Sequence, residues 1–159
     1  LSENWKKINE DPVCFGAAGD THATFTINKS GLVNTFKLVY RNGSVTCGFS
    51  IIEPTHWGCK HPVFGDKQLA TVITYTNKSA LLLADYSRET WRCGERYYMY
   101  SLEGTDVNSP ELVFNQLLPP LNVSLGQKFQ IWYAEDLVDC FELDNSGQTC
   151  VDVYAWYTA

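Results

Sequence analysis

The sequence is poor in positive charge, in histidine and in long apolar runs. Lysine and arginine number 12 against 18 aspartates and glutamates, for a net charge of −6. That balance argues against nucleic acid or an anionic membrane as the main partner. A spanning helix needs about 20 consecutive apolar residues, and no such run occurs, so membrane insertion is not expected. Leu1 is not followed by a basic n-region and an apolar h-region, so any signal peptide is expected to have been removed already.

Catalytic signatures are also missing. The three histidines are His22, His56 and His61, and no GxSxG, HExxH or Cys/His pattern accompanies them. No glycine-rich phosphate loop is present. Asp136 with Glu142 or Asp144 could be read as a glycosidase pair, but carboxylates on a single loop are badly placed to bracket a glycosidic bond. The expectation is a binding protein, not an enzyme.

Cysteine, by contrast, is plentiful: Cys14, Cys47, Cys59, Cys93, Cys140 and Cys150. The number is even and no CxxC occurs, which fits disulfides better than a zinc ribbon. Cys59 and His61 could supply two zinc ligands, yet a disulfide beside a surface histidine is the simpler reading. Four Asn-x-Ser sequons, at Asn28, Asn42, Asn77 and Asn122, are candidate glycosylation sites. Together these features place the chain outside the cell, secreted or on the extracellular face of the cell surface. Cys47 and Cys59 are close in sequence and form the expected local pair. Cys14 and Cys150 flank the first and last strands, which are often neighbours in a sandwich. Cys93 and Cys140 remain for each other.

The strand signal is a period of two with aromatic and β-branched residues. Phe25 and Ile27 alternate with Thr24 and Thr26. Phe36, Leu38 and Tyr40 follow, and Arg41-Asn42-Gly43-Ser44 reads as a hairpin turn before Val45, Cys47, Phe49 and Ile51. Residues 53–67 read as a long loop. Strands resume at 69–76, 80–84, 96–102 and 111–114. Phe129, Ile131 and Tyr133, then Val151, Val153, Ala155 and Tyr157, form an expected closing hairpin. About eight or nine short strands with regular turns indicate an all-β fold. The expected architecture is a disulfide-stapled antiparallel β-sandwich, of jelly-roll or galactose-binding-like type. Residues 1–13 read as a polar lead-in, and 14–159 as a single domain with about two-thirds of its surface buried on folding.

The closing stretch carries the site signal. Between its strands lie Glu135, Asp136, Asp139, Glu142, Asp144 and Asn145, closed by Ser146-Gly147. So many oxygen donors repel one another unless water or a cation screens them, and Ca²⁺ takes oxygens from carboxylates, amides and carbonyls. Asp136, Asp139, Asp144 and Asn145 are the candidate metal ligands. The alternative is a solvated acidic hairpin. Aromatic residues supply the other binding signal, since their faces stack on the apolar faces of sugars. Trp57 and Trp91, in loops, are the ligand candidates. Trp132 and Trp156, on strands, read as core or sheet-face residues.

The segments DPVCFGA, GLVNTFKLVYRNGSVTCGF, HWGCKHP, ELVF with PLNVS, and QIWYAEDLVD with DNSGQTCVDVYAWY resemble a cysteine-containing ectodomain of secreted and cell-surface proteins of cnidarians such as corals and anemones. The resemblance runs from Cys14 to Tyr157 and implies an adhesive, matrix or recognition role. Asp136, then Asp144-Asn145-Ser146-Gly147 and the alternating valines, is similar to the calcium loop of PA-IL-type bacterial galactose lectins. That similarity implies Asp136, Asp144 and Asn145 as Ca²⁺ ligands and a sugar chelated by the ion. The His61-Pro62 pair is similar to one that touches the sugar in that family. Here the first Asn of the pattern is Asp144, and its spacing from Asp136 is one residue longer. The combined expectation is a carbohydrate-binding module with Ca²⁺ as cofactor. Its ligand residues would be Trp57, His61, Trp91, Asp136 and Asn145. Its partners would be glycans or glycoproteins, and a homo-oligomer is compatible with it. The alternative is a structural or adhesive module whose cation only rigidifies the loop.

Overall fold

A computed structural model describes residues 4–48, 52–60, 62, 65–81, 83–86, 99–139, 143 and 145–158. In chain order the elements are β1 (Trp5–Lys7), β2 (Val13–Gly16), β3 (Ala23–Thr26), β4 (Gly31–Thr46), β5 (Thr71–Tyr75), β6 (Glu111–Val113), β7 (Leu121–Val123), β8 (Lys128–Tyr133), α1 (Ala134–Leu137) and β9 (Ser146–Tyr157). Among the described residues the fold is all-β, with two antiparallel sheets and a single helical turn. Among the described residues no helix is long and apolar enough to cross a membrane.

The larger sheet is built on β4 and β9, which pair from Val33–Tyr157 to Thr46–Ser146. Short strands complete each side. β1 and β2 pair with β9, while β6 and β7 pair with β4. The smaller sheet has the order β3-β8-β5. Alternation along the strands turns Phe36, Leu38, Val151, Val153 and Ala155 inward, where all are buried. Phe25 and Phe129 of the smaller sheet meet Phe36 of the larger, with ring centroids 5.5–5.7 Å apart. Full burial of each such side chain is worth about 1.5–3 kcal/mol. Two disulfides are formed, Cys14–Cys150 across facing positions of β2 and β9, and Cys47–Cys59 beneath the loop after β4. Cys93 and Cys140 lie outside the described residues.

Three departures from the sequence expectation concern strand pairing. Arg41-Asn42-Gly43-Ser44 is not a turn but part of β4, with Asn42 opposite Cys150 and Gly43 opposite Thr149. The irregularity becomes a register shift after Tyr40, and Gly43 takes φ +86°. Positive φ serves a bulge as well as a reversal, and β9 offers β4 a continuous partner. Second, β8 and β9 form no hairpin. They belong to different sheets, and α1 carries the chain from one sheet towards the other. Third, the polar lead-in supplies a strand: Trp5, Lys6 and Lys7 lie opposite Trp156, Ala155 and Tyr154.

Candidate functional site

The acidic stretch begins where β8 ends. α1 follows Tyr133 directly, and its four residues are all buried. This turn sends Asp136 inward, towards the loop between β2 and β3. Asp136 is 0% exposed. Its Oδ1 accepts the Asp20 N–H at 2.9 Å and its Oδ2 accepts the Thr21 N–H at 3.0 Å. The receiving loop bends through Gly19 and Asp20 with positive φ, +79° and +55°. Successive N–H groups in such a bend converge on an anion. Gly16 N–H to Thr21 O, at 2.7 Å, closes the loop.

The loop is held from a second side. Asn145 Nδ2 donates to Ala17 O at 3.0 Å, and Ala17 N–H donates to Gly147 O at 3.1 Å. Asn145 Oδ1 is buried and has no hydrogen-bond partner among the described residues. Asp139, at φ +52°, swings back so that its carboxylate joins those of Asp20 and Asp136, ligand oxygens lying within 4.8 Å of one another. Asp20 and Asp139 are exposed. Two like charges at this separation repel by roughly 1 kcal/mol in water and about 4 kcal/mol at an effective dielectric constant of 20. The donor set suits a hard cation: three carboxylates, with one spare lone pair on each Asp136 oxygen.

The structure thus joins Asp136 and Asp139 with Asp20, a residue the sequence reading missed. Asn145 grips the same loop. Asp144, His61 and Trp91 lie outside the described residues.

Trp57 does not behave as expected. It is 0% exposed, so it offers no face to a ligand. Its Nε1 donates to Ser109 O at 2.7 Å, and its carbonyl accepts from Ala70 N–H and Thr71 Oγ1. Trp57 anchors the long loop to the core, because a buried indole N–H needs a partner and a loop carbonyl supplies one. Trp132 is 1% exposed although its strand phase points outward. The His22 ring covers it at 4.7 Å between centroids, and the Lys78 ammonium sits 4.7 Å from the ring centre.

The half-exposed aromatic residues lie elsewhere. On the outer face of the larger sheet Trp5 packs on Trp156, centroids 5.6 Å apart. Lys37 Nζ lies 4.4 Å from the Trp5 centroid and 5.1 Å from that of Tyr154. The four sequon asparagines are all exposed. Asn122 is open on β7. Asn28 instead has its amide engaged, donating to Lys7 O and Ile8 O at 3.1 Å each.

Fold and cluster together describe a disulfide-stapled, two-sheet β domain with carboxylates gathered at one end. The chain is similar to AJLec from the sea anemone Anthopleura japonica, at 29% sequence identity and a TM-score of 0.83 over 97% of each chain. No family model and no curated protein sequence matches it. The cnidarian resemblance of the sequence therefore has a counterpart in a cnidarian structure. The likeness of the acidic loop to PA-IL-type lectins rests on its sequence pattern alone.

Proposed function

We propose that this chain is an extracellular, lectin-like carbohydrate-binding module rather than an enzyme. In this reading Ca²⁺ is held by Asp136 and Asp139 with Asp20, and Asp144 and Asn145 of the same stretch complete the set. The observation that carries the reading is the match over nearly the whole of both chains to AJLec, which bears a lectin's name. The carboxylate cluster and the buried Asn145 Oδ1, without a hydrogen-bond partner among the described residues, support the cation. Bound there, Ca²⁺ would supply coordination positions for sugar hydroxyls, while Asp136 keeps the loop of residues 17–21 in place. The disulfides support an extracellular setting.

One observation favours a second reading. Both oxygens of Asp136 already bind backbone N–H groups, so the residue has a structural task whether or not a cation is present. A structural or adhesive module with a rigidifying cation would look the same at this position. A glycan array probed with Ca²⁺ and then with chelator separates the two. Binding that chelator abolishes supports the lectin reading. A Ca²⁺-dependent rise in melting temperature with no glycan bound supports the structural one. Glycan binding that chelator leaves intact would remove the cation from the mechanism.

A further inference from the structure

We propose that a groove along the free edge of β1 is a second binding site, for an acidic saccharide bearing sulfate or uronate groups. The groove has a volume of about 640 Å³ and is lined by Asn4, Trp5, Lys6, Lys29, Tyr157 and Thr158, with Lys7 at its wall. It gathers three of the 12 basic residues of a chain whose net charge is −6. No acidic side chain lines it among the described residues.

Its walls are fixed. The Tyr157 hydroxyl donates to Lys29 O at 2.6 Å, and the Lys29 ammonium lies 5.1 Å from the centre of the same ring. Asn28 ties this turn to β1 through Lys7 O and Ile8 O. Lys7 is already committed, with its Nζ 3.6 Å from Asp152. Alternation along β1 turns Lys6 to the opposite side from Trp5 and Lys7. Among the described residues neither Lys6 nor Lys29 has an ion-pair partner. Two ammonium groups that form no ion pair among the described residues leave a positive potential that an anion can meet. The amide of Asn4 and the hydroxyl of Thr158, which also line the groove, suit the hydroxyls of a sugar. A disulfide-bonded chain meets such anions as polysaccharides outside the cell.

The site is separate from the acidic cluster. The loop of residues 17–21 meets β9 at Gly147, whereas the groove meets it at Tyr157. At about 3.3 Å per residue those positions are roughly 30 Å apart. Binding in the groove therefore has no need of a divalent cation.

The test uses the whole chain and a heparin-derived oligosaccharide in excess chelator, with neutral dextran as control. Wild type is expected to bind heparin at about 50 mM NaCl and to release it as salt shortens the range of the charges. K6A/K29A should bind roughly 5- to 30-fold more weakly. K6R/K29R should keep most of the affinity, and both variants should melt with wild type. The proposal is overturned if wild type fails to bind at low salt, if K6A/K29A binds as wild type does, or if dextran binds equally well. It is also overturned if K6R/K29R, folded, loses binding as far as the alanine pair, because the charges would then not be what recognises the ligand.

Discussion

Asp136→Ala separates the structural task of the acidic stretch from its cation. The substitution takes the acceptor from two backbone N–H groups, at 2.9 and 3.0 Å, on a side chain with 0% exposure. A hydrogen bond to a charged group nets about 1.5–3 kcal/mol, and water can reach the exposed Asp20 end in compensation. The expected loss is about 3–5 kcal/mol, or roughly 6–20 °C in melting temperature for a domain of this length. It should appear in full in the presence of chelator, because both bonds form without a metal. Asp139→Asn provides the contrast, since Asp139 is exposed and its backbone bond to Asp136 O does not involve the carboxylate. In chelator it should leave the melting temperature unchanged or slightly raised as repulsion falls. With Ca²⁺ at a hundredfold excess over Kd, wild type should gain about 2.7 kcal/mol, or roughly 5–10 °C, and Asp139→Asn should gain much less. Magnesium should do little for either, since it holds its waters and demands octahedral geometry. An Asp136→Ala protein that melts with wild type in chelator would refute the clamp. A full Ca²⁺ shift in Asp139→Asn would refute the cluster as the cation site.

Tyr100 is fully buried, donates to Thr71 O, and burial holds its hydroxyl well above the usual 10.0. The folded state thus keeps a proton that the unfolded chain gives up. Stability should be intact below about pH 10 and fall as pH rises beyond it, and Tyr100→Phe should flatten that limb in an alkaline melting series. A Cβ on Gly43 would stand 2.2 Å from Gln148 O, and one on Gly147 2.2 Å from Ser44 O. Either alanine should lower stability by several kcal/mol, on the order of 2–4, in urea unfolding, through clash and positive φ together. Replacing Cys14 and Cys150 by alanine opens a loop of 136 residues and should cost about 2–5 kcal/mol in the same assay. In protein from a eukaryotic host, Asn28 should show the lowest glycan occupancy of the four sequons by mass spectrometry, because its amide already serves Lys7 O and Ile8 O.

Much of the fold was legible because burial on one face of a strand writes itself into the sequence with a period of two. Phe129, Ile131 and Tyr133 are all inside, as their alternation indicates. The pairing of those strands was not legible. Hydrophobic phase says which face is buried, not which strand lies alongside, so β8 and β9 looked like one hairpin although they lie in different sheets. Asn42-Gly43 misled for a related reason: it reports a tolerance for positive φ, which a bulge uses as readily as a turn. Trp57 sits in a loop with prolines and glycines around it, and only the structure shows that the loop folds over the core and uses the indole as its anchor. At the acidic site, Asp136 and Asp139 could be singled out from local density of oxygen donors. Asp20 could not, being 116 residues from the carboxylate it binds. No local pattern encodes that meeting, which depends on β2 pairing with the start of β9 and on α1 turning back towards it.

β9 also shows how the two proposed sites, of opposite charge, would coexist on one small domain. Its first residues hold the loop that bears Asp20, through Asn145 just before the strand and Gly147 within it. Its last described strand residue, Tyr157, holds the turn that bears Lys29. A single strand, paired along its length with β4, therefore fixes both loops and keeps them roughly 30 Å apart. That separation is several times the screening length of about 8 Å at physiological ionic strength. A cation entering at Asp136 changes the potential at Lys6 and Lys29 very little. If chelation were found to alter heparin binding, direct electrostatics could not be the cause, and the effect would have to travel through a change in β9 itself. The hydrogen bonds that hold the loop of residues 17–21 do not depend on a cation, so β9 is expected to stay as it is when the cation leaves.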